Sequence, residues 1–190
     1  INWVDLNKDG YIDLVASGFN GTPQTVIYIN DLSSLYKTSK TYGLPDLFSS
    51  KMAWGDLDND GDIDLAFTGI DKDDNYVFDI YYREDGKENF IKDPDFNYQG
   101  FTNGDLKIGD FDSDGDNDII FSGENSSGSN VGGIIYNTYI KSTNTNQWSY
   151  GNINLKKSSI ELAYFKDFGG LGCVITGEGT NTDGLITKTS

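Results

Sequence analysis

The sequence contains no histidine and only one cysteine. Without histidine the chain lacks the commonest acid–base side chain and the commonest ligand of transition metals. A single cysteine, Cys173, excludes a disulfide within the chain. Cys173 lies in an apolar segment, so we predict that it packs in the core rather than reacts. Oxygen-bearing side chains therefore remain as the main candidates for metal ligands.

Long apolar runs and the periodicity of a long amphipathic helix are also absent. No segment is apolar for long enough to cross a membrane, so we expect no membrane insertion. The chain has only 3 Pro but 23 Gly, 12 Tyr and 11 Phe. Aromatic and β-branched residues interrupted by glycine are typical of strands joined by many turns. The composition predicts an all-β protein.

Positive charge is scarce, with 14 Lys and Arg against 30 Asp and Glu and a net charge of −16. A chain this negative is a poor partner for nucleic acid or anionic lipid. Thirteen of the 30 acids fall within three short segments. Three bound divalent cations would reduce the net charge from −16 to about −10. Much of the acidity is therefore interpreted as metal-site chemistry.

The three acidic segments share the pattern D-x-[DN]-x-D-G-x-x-D. Oxygen side chains stand at loop positions 1, 3, 5 and 9, glycine at position 6 permits a sharp reversal, and position 7 offers its backbone carbonyl. Calcium prefers six to eight oxygen ligands in flexible geometry. We predict three Ca²⁺ sites, whose ligands are Asp5, Asn7, Asp9, Tyr11 and Asp13 in loop one, Asp56, Asp58, Asp60, Asp62 and Asp64 in loop two, and Asp110, Asp112, Asp114, Asp116 and Asp118 in loop three.

Two other interpretations of the motif fit it less well. An ordinary solvated turn does not need four oxygens at fixed offsets in three copies. An EF-hand needs a glutamate at position 12 and a helix on each side. Position 12 is occupied here by Ala16, Phe67 and Phe121, and the flanking segments have the pattern of strands. The EF-hand interpretation therefore fails.

The loops belong to an internal repeat, because Asp5 and Asp56 are 51 residues apart and Asp56 and Asp110 are 54 apart. A further 54 residues lead to Tyr164, where Tyr164, Lys166 and Phe168 replace the first three acidic positions. We therefore expect no metal in a fourth loop. The predicted repeats are residues 1–50, 51–104, 105–158 and 159–190.

Four short antiparallel strands can be predicted in each repeat, as in a blade of a β-propeller. The chain would contain about three and a half blades in a single partial domain, residues 1–190. Such a piece cannot close a ring, so we expect further blades or another copy of the chain to complete it. The chain begins with Ile1 and shows no leader, which suggests an excised part of a longer protein. Trp3, Trp54 and Ile108 occupy equivalent positions and are expected to pack between blades.

Residues 54–65, WGDLDNDGDIDL, resemble the repeat of the FG-GAP/VCBS family, best known from the propeller head of integrin α-subunits. The likeness covers three units in full and half of the fourth by spacing. It implies a calcium-stabilised propeller of seven or eight blades, extracellular or at the cell surface, with a role in adhesion or ligand binding. The Gly-Ala-Pro ending of the family is replaced by residues 16–19, so an integrin-like partner does not follow.

The preferred function is a binding or adhesion module in which calcium is structural. Its ligand, an unknown protein or glycan, is expected on the face away from the metal loops. An enzyme is not expected, because the ordered acids are committed to metal and no nucleophile elbow or phosphate loop occurs. A non-catalytic or accessory part of a secreted carbohydrate-active enzyme is the alternative, and a secreted calcium buffer fits the apolar strands poorly. The predicted partner surface comprises residues 19–24, 42–50, 70–75, 94–103, 124–131 and 151–159.

Overall fold

The computed structural model describes residues 1–84, 87–140, 145–152, 156–165, 170–178 and 184–186. Within these ranges all regular structure is β, so no helix there is long and apolar enough to span a membrane. The strands form four antiparallel sheets, each built from consecutive strands in chain order. The prediction of an all-β protein is confirmed.

Three of these sheets have four strands and the last has three. Sheet one contains β1 (Asn2–Val4), β2 (Asp13–Phe19), β3 (Pro23–Asn30) and β4 (Leu35–Lys37); sheet two contains β5 (Phe48–Gly55), β6 (Asp64–Ile70), β7 (Tyr76–Arg83) and β8 (Phe90–Lys92); sheet three contains β9 (Thr102–Gly109), β10 (Asp118–Glu124), β11 (Asn130–Ile140) and β12 (Thr145–Asn152); sheet four contains β13 (Lys156–Phe165), β14 (Gly170–Glu178) and β15 (Gly184–Ile186).

The segment that follows each acidic loop forms the second strand of its sheet. In β6 and β10 every residue but the last is buried, because sheets pack on both of their faces. A strand covered on both faces has a continuous apolar sequence instead of alternating. The sequence predicts a fourth strand in the first repeat but does not give its bounds, because all three residues of β4 are exposed and show no pattern of burial. In the last repeat the sequence predicts a third strand at residues 185–188, where β15 covers 184–186; residues 187 and 188 lie outside the described residues.

Hydrophobic side chains fill the spaces between consecutive sheets. One cluster joins sheets one and two, a second joins sheets two and three, and a third joins sheets three and four. In the second cluster the ring of Phe78 lies 5.2 Å from those of Phe101 and Phe121. Cys173 belongs to the third cluster and is 1% exposed, which confirms its prediction as a core residue. Burial also raises the pKa of its thiol.

The prediction that Trp3, Trp54 and Ile108 are equivalent core residues is correct for two of them. Trp54 packs against the cluster between sheets one and two, and Ile108 against the cluster between sheets two and three. Trp3 is 63% exposed. It lies on the face of sheet one that is turned away from sheet two, and the described residues place no sheet over that face. The prediction for Trp3 was therefore wrong for this chain.

In sheets one, two and three, a hydroxyl side chain near the end of the second strand forms a hydrogen bond to the next sheet. The Ser17 hydroxyl bonds that of Ser50, and the Ser122 hydroxyl bonds that of Ser158. At the middle junction Thr68 Oγ1 donates to the carbonyl of Phe101 at 2.7 Å and accepts its N–H at 3.2 Å. The repeated Ser-Gly or Thr-Gly pair of the sequence therefore supplies a polar contact between neighbouring sheets.

The glycine after this hydroxyl is tightly packed in β10. A Cβ added at Gly123 would lie 2.5 Å from the ring of Phe101, which precedes β9, and 2.6 Å from the carbonyl of Thr102, the first residue of β9. The equivalent Gly18 in sheet one has nothing within 4 Å, because β1 pairs only with residues 13–15 of β2. Equivalent positions of the repeat therefore differ in the space around them.

We expect Gly123→Ala to lower the free energy of unfolding by about 1–3 kcal/mol, because the added methyl group overpacks a filled site. Gly18→Ala is the matched control and should change stability by less than about 0.5 kcal/mol. Chemical denaturation of the two variants and the wild type measures the difference. Equal effects of the two substitutions would contradict the packing argument.

Candidate metal centres in the acidic loops

The three acidic loops join the first and second strands of sheets one, two and three, and they share one backbone conformation. Position 4 has a left-handed backbone in each loop, with φ of 62° at Lys8, 58° at Asn59 and 63° at Ser113. The glycine at position 6 follows with φ between 88° and 99°. These two turns reverse the chain and bring the aspartates before and after them together.

The aspartate at position 9 fastens each loop to the third strand of its own sheet. Asp13, Asp64 and Asp118 are fully buried. One carboxylate oxygen of each accepts the N–H of position 2 at 2.8–2.9 Å. The other accepts an N–H of the third strand at 2.8 Å, from Asn30, Arg83 and Asn137 respectively. The ninth position therefore has a structural role in addition to its predicted role as a ligand.

The aspartate at position 1 accepts the N–H of the position 6 glycine at 2.9–3.2 Å in all three loops. This contact uses Oδ2. In loops two and three the other oxygen, Oδ1 of Asp56 and of Asp110, is buried and has no hydrogen-bond partner. In loop one, Oδ1 of Asp5 accepts the N–H of Asp9 at 3.1 Å. A buried carboxylate oxygen without a partner is costly, which makes a cation beside it favourable.

Three carboxylates converge in each of loops two and three. Oxygens of Asp56, Asp58 and Asp64 lie within 4.8 Å of one another, and so do oxygens of the equivalent Asp110, Asp112 and Asp118. Both groups combine positions 1, 3 and 9 of the motif. Loop one forms no such group of acids, since neutral Asn7 stands at its third position. Two of the three predicted sites therefore show convergent carboxylates.

The predicted ligands at positions 5 and 7 bond to each other instead of joining these groups. Oδ1 of Asp60 accepts the N–H of Asp62 at 2.7 Å, and Oδ1 of Asp114 accepts that of Asp116 at 3.0 Å. In loop one, Oδ1 of Asp9 likewise accepts the N–H of Tyr11, at 2.9 Å. The second oxygen of Asp9 accepts a hydrogen bond from Nδ2 of Asn7 at 2.9 Å. Ligation by position 5 and by the carbonyl of position 7 stays a prediction in all three loops.

Burial and crowding raise the pKa of four of the six grouped carboxylates. Burial raises the pKa of Asp64 to about 7 and that of Asp118 to about 6. Burial, and then the nearby charge of Asp60, raise the pKa of Asp58 to about 6. The pKa of Asp112 is raised mainly by burial. A bound divalent cation would offset both the burial and the mutual repulsion of these groups.

The fourth loop is described only in part. Tyr164 is 69% exposed. It is the last residue but one of β13, the strand before the loop. Lys166 and Phe168, the other residues predicted to replace acidic ligands, lie outside the described residues. The expectation of no metal there stays a prediction.

The structure also assigns a function to a position that the sequence did not single out. Asn30, Arg83 and Asn137 follow the ninth-position aspartate by 17, 19 and 19 residues. Each of them bonds that aspartate through its backbone N–H. A polar side chain recurring near the end of an apolar third strand was the available signal, and the unequal spacing of 17 and 19 residues hid it.

Comparison with protein families gives one match, to the FG-GAP-like repeat over residues 5–67. This segment contains the first two acidic loops and strands β2 to β4 of sheet one. No curated protein and no solved structure matches the chain. The chain therefore carries an FG-GAP-like repeat, as the resemblance of its motif implied.

The aspartates at positions 9 and 3 of a loop should respond differently to replacement by asparagine. Asp64→Asn turns an amide N–H₂ toward one of two N–H donors, so we expect it to lower unfolding free energy by about 1–3 kcal/mol even in chelator. The matched control, Asp58→Asn, removes the same charge but no bond to a strand. It should leave stability in chelator unchanged or slightly higher. Thermal unfolding in chelator tests both, and a larger loss for Asp58→Asn would contradict the assignment.

Proposed function

We propose that this chain is a calcium-stabilised binding module of the FG-GAP/VCBS type that acts outside the cell or at the cell surface. The observation that carries the proposal is the pair of convergent carboxylate groups, each with a buried and unpartnered oxygen, at Asp56 and Asp110. The FG-GAP-like repeat over residues 5–67 supports it. The module has no catalytic role in this proposal.

In loops two and three, the carboxylates at positions 1, 3 and 9 would hold the ion. Position 5 would contribute its second oxygen and position 7 its backbone carbonyl, as the motif predicts. In loop one Asn7 would replace one carboxylate with an amide oxygen. Calcium supplies the positive charge that neutralises the grouped carboxylates. Because it would bind the folded loops alone, its binding free energy would add to the stability of the sheets.

We further propose that the four sheets are blades of a β-propeller. Each sheet is a set of consecutive antiparallel strands, and consecutive sheets pack face to face through the three hydrophobic clusters. This is the arrangement of propeller blades. The exposed Trp3 stands where Trp54 contacts the preceding sheet, so a further blade or another copy of the chain would cover it.

A cavity of about 640 Å³ between sheets one and two is the candidate ligand site. It is lined by the β2–β3, β4–β5 and β6–β7 connections, which lie at the opposite strand ends from the metal loops. The residues of these connections that line the cavity, at positions 22, 45–47 and 71–73, fall within the predicted partner surface. The lining combines apolar Pro23, Pro45 and Val77 with the charged pair Asp79 and Lys92, whose charged atoms are 2.8 Å apart. Charged Asp46, Asp71, Lys72 and Asp73 line it as well, so the cavity offers a protein or glycan ligand apolar contact together with several charged groups.

Calcium should raise the melting temperature, and loop one should release the ion first. Loops two and three each contribute four carboxylates to the motif, whereas loop one contributes three. Affinity rises with ligand charge, and extracellular modules bind at about 10⁻⁴–10⁻³ M. Isothermal titration with calcium, followed by chelator titration, measures the order of release.

Asn7→Asp should raise the calcium affinity of loop one. Asp60→Ala or Asp114→Ala should lower the melting temperature in calcium far more than in chelator.

A melting temperature indifferent to chelator would contradict the calcium proposal. Equal release from all three loops, with no effect of Asn7→Asp, would contradict the order alone.

Binding to an array of glycans and matrix proteins should depend on the cavity. Thr22 lines the cavity and is exposed, so Thr22→Trp should fill its mouth and weaken binding of a captured ligand by about tenfold or more. Ser34→Trp is the matched control, because Ser34 is exposed in the β3–β4 hairpin, at the end of sheet one that carries the metal loop. Equal binding by the two variants would exclude the cavity. Degradation of a bound glycan by the chain itself would contradict a non-catalytic role.

A further inference from the structure

Side chains of sheets two and three reach back to the acidic loop of the preceding sheet. Nη2 of Arg83, at the end of β7, donates to the carbonyl of Leu6 in loop one at 2.9 Å. Nδ2 of Asn137, at the equivalent place in β11, donates to the carbonyl of Leu57 in loop two at 2.7 Å. Both contacts are buried. They connect residues 77 and 80 positions apart in the chain.

The residue that receives this bond is itself part of the candidate metal site. Leu6 and Leu57 occupy loop position 2, and their N–H groups donate to the ninth-position aspartates Asp13 and Asp64. Position 2 is therefore held on one side by its own loop and on the other by the next sheet. The backbone N–H of Arg83 donates in turn to Asp64, which belongs to the next loop. Hydrogen bonds thus run without a break from loop one to loop two.

The same sequence of bonds continues to loop three. Leu57 receives the Asn137 side chain, and the Asn137 N–H donates to Asp118, which in turn accepts the N–H of Phe111. Buried backbone groups of the three loops are therefore connected through two side chains, Arg83 and Asn137. Because both side chains are buried, replacement would leave the opposing carbonyls unsatisfied.

A second contact joins the loops at their exposed edge. Nζ of Lys8 at position 4 of loop one pairs with Asp62 at position 7 of loop two. Nδ2 of Asn59 at position 4 of loop two likewise bonds Asp116 at position 7 of loop three. The junction of loops two and three has one further bond, from Asn117 Nδ2 to the Asp56 carbonyl at 2.8 Å. Position 4 of one loop thus repeatedly contacts position 7 of the next.

We infer that Arg83 and Asn137 are positioning residues that couple neighbouring calcium loops, so that the loops bind the ion as a linked row rather than independently. The inference rests on the proposed function, because it concerns the same ions. An ion that orders one loop also fixes the third strand behind it, and the side chain of that strand then orders position 2 of the preceding loop. The second ion meets a loop already partly ordered, which is positive coupling. Linkage requires the effect to act in both directions.

Hydrogen exchange of the loop-two segment, residues 56–64, against calcium concentration tests this coupling. Asp112→Ala disables loop three and does not alter any ligand of loop two. In the otherwise unchanged chain we expect it to raise the calcium concentration that half-protects loop two by about fivefold, which is the lower end of usual coupling. Asn137→Leu should raise it by a similar factor. The two changes together should give less than the product of their separate effects, because both break one link.

Asn30→Leu is the matched control, since the Asn30 side chain bonds only the loop of its own sheet and does not reach a neighbouring loop. Its Nδ2 donates to the carbonyl of Ile12 at 3.2 Å, as Asn137 Nδ2 does to that of Asn117 at 3.2 Å. It should leave the calcium response of loop two unchanged. Arg83→Met tests the other junction through exchange of residues 5–13, and Arg83→Lys should restore part of the response, since an amine can still donate to Leu6.

The variants also separate coupling from misfolding. Circular dichroism and a cooperative melt in calcium establish that each variant folds. If Asn137→Leu does not fold, Asp112→Ala and Asn59→Gly carry the test of the same junction, because glycine removes the exposed side chain and tolerates the left-handed backbone of position 4. A loop-two response that ignores Asp112→Ala would overturn the inference while leaving the calcium proposal intact. Absence of any calcium-dependent protection in the unchanged chain would overturn both.

Discussion

A buried carboxylate that accepts two backbone N–H groups is the interaction on which this structure depends. Asp13, Asp64 and Asp118 each bond their own loop and the third strand of their own sheet, and each is fully buried. The bonds fix where the loop lies relative to the sheet, and they place one carboxylate at the centre of the acidic group. The same side chain therefore serves the fold and the proposed ion. Burial gives this arrangement an electrostatic cost, which is visible in the raised pKa of Asp64 and Asp118.

Most of the architecture followed from the periodicity of the sequence. The loop motif fixed the phase of the repeat, and the apolar runs after it became β6 and β10. The bounds of the short β4 could not be predicted, because its residues are exposed and show no pattern of burial. Trp3 was misassigned because an equivalent position has an equivalent environment only when a sheet lies over it. Repetition predicts local structure well, but it does not predict what covers the outer faces of an array.

The candidate sites were predicted as sets of ligands, and the structure adds the bonds around them. The convergence of positions 1, 3 and 9 in loops two and three could be anticipated from spacing alone. The contacts between loops could not, because Arg83 and Leu6 are 77 residues apart. In the next repeat the donor is Asn137 instead of an arginine. A guanidinium and an amide perform the same task at these two places. Chemical equivalence of this kind is visible in space and hidden in the sequence.

The exposed contacts between loops differ in physical nature. Lys8 joins loops one and two by an ion pair, whereas Asn59 joins loops two and three through a neutral amide that bonds Asp116. Charge–charge attraction at a surface weakens as salt shortens the screening length to about 8 Å at physiological ionic strength. A hydrogen bond from a neutral amide is much less sensitive. High ionic strength would therefore weaken the exposed contact between loops one and two and leave the one between loops two and three in place. The salt concentration would then determine how strongly loop one is held to its neighbour.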